Sequence, residues 1–491
     1  MKLQQSLSFL LAAIILASFA GCNSDGTLQS SASSTENDSS SAEILTGRDA
    51  VADGLPERNF GNEKFTILTR TQYDYEFGVN VEDGELMNDA VYRRNLTVEE
   101  RFGVDIVTVP TDCVWGEQAT AFNTMLQASI MAADGAFDLV AGYAATIPEI
   151  VGENLFMNLA EIDIIDFSKP WWSELLSEEL TINGKCFLAT GDISLSLWKG
   201  MNCIFFNKRL ADEYHIGNLY SLVTEGEWTL DKLMELTAGT YEDINGDTAV
   251  SPEDKYGFLC MRNTEIDNMK EAFELRVTDK GADGFPKLVY KNERTVEIVT
   301  RLNAYLHESD SVFFATSGNA AAKQEMLQMF SDGRGLFYAS TVGKAEPLRS
   351  MNDDFGILPY PKYDSVQKDY HSTSLDEFSL FVIPIDAKNP EKSAIITEAL
   401  CAESYKQVVP VFYETALKTK GARDDDSSAM IDLIRDGLSF DFGYLHSNAL
   451  GGVGHRFVNS IRNNNNNVIS DYDSKASGFE ESLQKVLEPY R

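Results

Sequence analysis

The stretch 243-DINGDTAVSPEDKYGF-258 carries side-chain oxygens on Asp243, Asn245, Asp247, Ser251 and Asp254. Counted from Asp243 these are positions 1, 3, 5, 9 and 12, and Ala249 would add a backbone carbonyl. That is the spacing with which a calcium loop supplies oxygen ligands. Two departures weigh against a sensor. Thr248 stands at the sixth position, where the sharp turn favours glycine, and Asp254 replaces the longer bidentate glutamate at the twelfth. A structural calcium ion away from any ligand cleft is therefore expected, with a metal-free acidic turn as the alternative. Other chemistry is thinly represented. The five histidines (His215, His307, His371, His446 and His455) show no metal-ligand spacing, which weighs against a zinc hydrolase. No G-x-S-x-G, Walker or G-x-G-x-x-G motif is present. Acidic residues are so abundant that carboxylate pairs suited to glycoside hydrolysis arise by chance. The chain is read as a non-enzyme, and a secreted glycoside-active enzyme is the lesser alternative.

A second group of residues is placed by the elements around it. The run 65-FTILT-69 alternates as a strand does, and a polar, aromatic loop follows at 71–84. The helical pattern at 85–103 puts Leu86, Ala90, Val91, Leu96 and Val98 roughly on one side, with Gly103 as its stop. A strand at 104–110, a helix from about 117 to 133 and a strand at 137–143 come next. Strand and helix alternating at this spacing predict a parallel sheet with right-handed crossovers, whose ligands sit beyond the carboxyl ends of the strands. Tyr73, Asp74, Tyr75, Trp115 and Tyr143 fall at those ends. Beyond 180, two β-like runs lie in 183–210, and Thr229 offers an N-cap for a helix at 229–236. A mostly helical region runs to about 333. Short strands return in 333-GRGLFYAST-341 and 355-FGILPYPK-362, and 378–400 reads as strand, turn and helix. The remainder is helical apart from the polar loop 463-NNNNN-467.

At 491 residues, 43% hydrophobic and 24% charged, the chain is ordinary globular material long enough for two or three domains. Its net charge of −35 argues against nucleic acid and against a face that hugs anionic lipid. Lys2, the apolar run 7-LSFLLAAIILASFAG-21 and the box 19-FAGC-22 resemble a bacterial lipoprotein signal, which is cut before the cysteine that carries the lipid. Residues 1–21 would be the leader. Residues 22–58, beginning at the lipidated Cys22, would be a Ser-rich disordered tether holding the body on the outer face of a cell membrane. Cys113, Cys186, Cys203, Cys260 and Cys401 are scattered and odd in number, and are expected to be mostly buried free thiols.

Several stretches in order resemble one family. They are the lipoprotein box and tether, 91-VYRRNLTVEERFGVDI-106, 137-FDLVAGY-143 with 154-NLFMNLAEI-162, 203-CIFFNKRL-210, 226-GEWTLDKL-233, 330-FSDGRGLFYAS-340 and 380-LFVIPIDAKNPEKSA-394. The resemblance is to the sugar-binding, family 1-like extracellular solute-binding lipoproteins of bacterial ABC importers, and it covers about 60–491. Phe205-Phe206, where tyrosine is usual, and the long insertions between 260 and 330 depart from it. The resemblance implies an α/β, two-lobe periplasmic-binding-protein-like fold of type II, with hinge strands crossing near 199, 335 and 378. Lobe 1 would be 59–199 plus 336–377, and lobe 2 would be 200–335 plus 378–491. It implies a monomer that closes on a carbohydrate, expected to be an oligosaccharide, and delivers it to ABC permease subunits. A sugar site needs flat apolar faces and polar partners for hydroxyls. The candidates are Tyr73, Asp74, Tyr75, Trp115, Tyr143, Asp192, Trp198, Trp228, Tyr338 and Glu377, each with core packing or a surface role as its alternative. The calcium-like loop also resembles those of docking modules, so a calcium-binding adhesion or docking lipoprotein is the main alternative. Such modules use two loops, and only one is present.

Overall fold

Strands form where β-branched and aromatic runs are bounded by Gly, Pro and Asn. In a computed structural model describing residues 47–262, 264–417 and 425–491 they are β1 (Glu63–Arg70), β2 (Val104–Thr111), β3 (Leu139–Tyr143), β4 (Asn202–Asn207), β5 (Tyr256–Cys260), β6 (Thr278–Lys280), β7 (Pro286–Leu288), β8 (Val312–Phe314), β9 (Gly335–Thr341), β10 (Phe355–Leu358) and β11 (Ser379–Val382). The leader, Cys22 and most of the tether lie outside the described residues.

The first lobe is built on a four-stranded sheet in the order β2–β1–β3–β11. β1 pairs in parallel with β2 and with β3, as the alternation of strand and helix predicts. β11 closes the edge antiparallel to β3. The helix Leu86–Phe102 ends where Gly103 turns left-handed at φ 58°. Its Leu86 and Leu96 are exposed, so the buried stripe runs instead through Met87, Ala90, Val91, Val98 and Phe102. The second lobe carries a five-stranded sheet in the order β10–β4–β9–β5–β8, and β6 and β7 form a separate hairpin. Thr229 caps the helix Leu230–Thr237 by accepting from the Lys232 amide at 3.3 Å.

This topology corrects the expected lobe boundaries. β9 pairs with β4 and β5, so 336–377 begins inside the second lobe, and no crossing occurs near 335. β11 pairs with β3, so the chain re-enters the first lobe near 378. The helix Pro390–Glu403 then packs on the helix Leu86–Phe102 of that lobe, whereas the helix Asp425–Asp436 packs on β10 of the other. The segment 378–491 is thus shared between the lobes. A strand's sheet is decided by its partner far along the chain, and the short Gly-bounded strands β9, β10 and β11 carry no local mark of that partner. The tether is corrected as well. Residues 47–58 lie against the first lobe: Asp53 is ion-paired with Arg101, and Val51 and Leu55 pack on its core. The five cysteines Cys113, Cys186, Cys203, Cys260 and Cys401 are buried and free.

Candidate functional site

The turn after β1 meets the hinge segments, and Tyr143 and Trp115, after β3 and β2, lie next to it. The turn Thr71–Glu76 follows β1 and is tied to the hinge. Arg70 donates to the Glu377 carbonyl at 2.6 Å and to Ser379 Oγ at 3.2 Å, and its guanidinium lies 3.9 Å from the Tyr73 ring centroid and 5.1 Å from that of Tyr143. The Tyr73 hydroxyl donates to Glu377 Oε2 at 2.6 Å. Burial and that carboxylate push the Tyr73 phenol well up, so it remains a donor. Glu76 is fully buried and fastens the turn to the hinge helix Leu195–Lys199: it accepts from the Ser196 amide and, at 2.7 Å, from Ser379 Oγ. Burial raises its carboxyl.

A cavity of about 220 Å³ opens beside this knot, lined by Tyr73, Tyr75, Ser196, Lys199, Thr341, Lys344 and Glu377. It is smaller than the roughly 300–1,000 Å³ of a typical ligand pocket. The lobes are bridged directly around it. Trp115, 56% exposed, meets Tyr143 of its own lobe and His455 of the other edge to face, with ring centroids 6.5 and 6.2 Å apart. Asn448 Nδ2 donates to the Ala145 carbonyl at 3.1 Å and to Glu149 Oε1 at 2.8 Å.

Tyr73, Tyr75, Trp115, Tyr143 and Glu377 therefore come together, and the other five ligand candidates do not. Asp74 accepts from Thr69 Oγ1 at 2.6 Å within its own turn, leaving so little room that a Cβ on Gly78 would meet its carboxylate. Asp192 and Trp198 line a separate cavity of about 280 Å³ with Trp172, Leu197 and Arg435. Burial holds the Asp192 carboxyl well above its usual range there. Tyr338, 2% exposed, stacks on Phe205 at 6.1 Å in the second-lobe core. Trp228, wholly buried, donates from Nε1 to the Pro359 carbonyl at 2.9 Å and packs on Phe337. Tyr338 and Trp228 are thus core packing residues, whereas Asp192 and Trp198 face a cavity apart from the one at the hinge. Trp171 and Trp172 are likewise buried, both indoles donating to Glu398 at 2.7 and 2.9 Å.

Sequence reading missed Arg70, Lys199 and Lys344, the buried carboxyls Glu265 and Asp267, and the half-buried Asp376. Burial pushes Asp376 up to about 7 and Asp267 to about 8, and raises Glu265. Asp267 accepts from the Tyr444 hydroxyl at 3.2 Å, while Asp267 Oδ1 and Glu265 Oε2 have no hydrogen-bond partner among the described residues. The doublet Asp376-Glu377 before a strand was the one signal available.

The calcium-like loop lies elsewhere, between the helix Leu230–Thr237 and β5. Thr248 takes φ 62° at the sixth position, so the sharp turn forms without glycine. Asp243 accepts from the Gly246 and Thr248 amides at 2.7 and 2.9 Å, and Asp247 from that of Ala249 at 2.7 Å. Asp254 is buried, and its Oδ1 has no partner among the described residues. The donor set and that orphaned oxygen suit calcium. In this arrangement, however, no group of three acidic, histidine or cysteine side chains among the described residues is gathered closely enough to hold a metal ion.

No protein-family model matches the chain, and no curated protein matches it. Solved structures do. A cyclo/maltodextrin-binding protein solved with maltotetraose is 14% identical, with 88% of this chain and 98% of that one covered and a TM-score of 0.54. An ABC transporter solute-binding protein from Thermotoga lettingae, solved with α-D-tagatose, is 12% identical over 86% and 100%, at 0.54. The chain has the two-lobe α/β fold of periplasmic binding proteins. The GacH receptor of Streptomyces glaucescens, solved unliganded and with acarbose, shares this binding-protein fold at 13% identity over 88% and 100%, with a TM-score of 0.53. At such identities the likeness is one of fold.

Proposed function

We propose that the chain is a lipid-anchored extracellular receptor that closes two lobes on a carbohydrate, an oligosaccharide by preference, and hands it to the permease of an ABC importer. The observation that carries this reading is the cavity at the hinge. Tyrosine rings supply apolar faces, and Ser196, Thr341, Glu377 and two lysines supply polar partners where the lobes meet. The fold's solved neighbours are binding proteins, which supports a receptor that performs no chemistry. The box at 19–22 supports a diacylated Cys22 holding a monomeric body outside the membrane. No helix among the described residues is long and apolar enough to cross one.

A calcium ion in the loop at 243–254 would be a rivet in the second lobe, held by Asp243, Asn245, Asp247, Ser251, Asp254 and the Ala249 carbonyl. It would stiffen the insertion before β5 and take no part in the cleft.

One thermal-shift screen tests both ideas. A ligand that binds only the folded state at one hundred times its Kd adds about 2.7 kcal/mol of stability. At least one mono- or oligosaccharide should raise the melting temperature, and a chelator should lower it while leaving the sugar-induced shift intact. A shift with peptides and none with any sugar would overturn the carbohydrate reading. An unchanged melting temperature on chelation would remove the rivet, and loss of the sugar shift would place calcium in the site.

A further inference from the structure

Acidic residues outnumber Lys and Arg by 76 to 41 in this chain, and many of its cations have a carboxylate beside them, as Arg209, Lys255 and Arg276 do. The cleft cavity is different. Lys199 and Lys344 both line it, and neither makes an ion pair with a carboxylate among the described residues. The Lys199 ammonium instead lies 4.9 Å from the Tyr75 ring centroid. Among the described residues the one carboxylate lining the cavity is Glu377, already accepting from the Tyr73 hydroxyl. Behind Tyr73 sits a third cation, Arg70, buried and turned toward the Glu377 carbonyl rather than toward its carboxylate.

The backbone holds the two lysines in place. Lys199 ends the hinge helix, and Lys344 lies in the turn Val342–Ala345 after β9. The Val342 amide donates to the Met201 carbonyl at 2.8 Å, and a Cβ on Gly343 would come within 2.9 Å of the Lys199 carbonyl. The end of a helix and a turn from distant parts of the chain are thus pressed together with their ammonium-bearing side chains on one cavity. Like charges held this way repel, and a lining with unmatched positive charge is complementary to an anion. Other charged groups lie within electrostatic reach of this region without lining the cavity. Glu265 has Lys323 and Lys344 within electrostatic reach and Asp376 has Lys323 and Arg70, but neither carboxyl lines the cavity or pairs with either lysine, and burial raises both, Asp376 to about 7. Asp267 has Lys270 and Arg462 for neighbours.

We infer that the carbohydrate taken by this cleft is acidic, a sugar bearing a uronate carboxylate or a sulfate ester that Lys199 and Lys344 contact while Tyr73 and Tyr75 cover the ring. This rests on the receptor reading above and narrows it.

Calorimetry on the full mature chain tests it with matched pairs: oligogalacturonate, oligomannuronate and a chondroitin sulfate disaccharide, each against its carboxyl-reduced or desulfated counterpart. At least one acidic member should bind about tenfold or more tighter than its neutral partner, the effect of one well-placed charge contact. Lys199→Gln with Lys344→Gln should erase that ratio, and Lys344→Arg should retain it. If the double variant is unfolded by its melting curve, each single variant should cut the ratio. Uronate pairs against sulfate pairs distinguish the two anions. If neutral members bind as tightly as acidic ones, the inference falls and the receptor reading stands. If no carbohydrate of either kind binds, the receptor reading fails and takes the inference with it.

Discussion

The carboxyls of this protein differ less in type than in what each is given to accept. Glu398 receives two indole N–H groups and Asp441 caps the helix Phe442–Leu445 with two amide bonds, so both are satisfied where they are buried. Asp267 is 4% exposed with one oxygen unpartnered, and burial outweighs the nearby Lys270 in pushing it to about 8. An unfolded aspartate titrates near 3.9, so between about pH 4 and 8 the folded chain holds a proton that the unfolded chain has released. Stability from this group is complete below about pH 4 and is lost as pH rises through 8. His446 and His455 act from the opposite side. Burial lowers both to about 4, so they weaken the fold as pH falls from about 6.5. Asp267→Asn keeps an acceptor for the Tyr444 hydroxyl and carries no titrating proton. Between pH 6 and 8 the wild type should lose about 2 kcal/mol that the variant does not. Urea melts at the two pH values check this, and equal losses in both proteins would refute it.

At the scale of elements, five residues decide which candidates face the cleft. The hinge helix Leu195–Lys199 turns about 100° per residue, so Ser196 and Lys199 share one face while Leu197 and Trp198 look the other way. Sequence reading placed Trp198 near the hinge and had no means of fixing that rotation, because the helix is too short to show a period. Trp115 sits on a loop between β2 and the helix Glu117–Met131, open to the cleft. The two tryptophans should therefore part company on substitution. Trp115→Ala should weaken binding of whichever sugar the screen identifies by about tenfold, with the melting temperature nearly unchanged. Trp198→Ala should change affinity by no more than about twofold, yet cost about 3 kcal/mol of stability as a core truncation does. Calorimetry and melting curves on both variants decide the matter. A larger affinity loss in Trp198→Ala would return that residue to the site. The same limit governs the other aromatic residues. β1, β2, β3 and their helices were legible because alternation and caps are local. Tyr338 and Trp228 were not, because their burial is set by Phe205 and Pro359, far away in sequence.

At the scale of the molecule, the lobes communicate through what joins them when they meet. Bridges on the cleft side include the Trp115–His455 ring contact and the two bonds from Asn448 to Ala145 and Glu149. Neither Asn448 nor Glu149 lines the cavity, so a latch between the lobes, and not a ligand contact, is the role to test for this pair. If the chain is the receptor proposed above, it binds with its intrinsic affinity reduced by the fraction of molecules able to close. Asn448→Ala removes one bond to a carboxylate and one to a carbonyl. A net loss of about 1.4 kcal/mol from the closed state would shift the balance between closed and open tenfold. The ligand-free variant should then show a larger radius of gyration by small-angle scattering. Its affinity should fall severalfold, and saturating ligand should restore the compact dimension of the wild type. If neither size nor affinity changes, closure is governed by the hinge and the ligand alone, and the bond from Asn448 to Glu149 merely accompanies it.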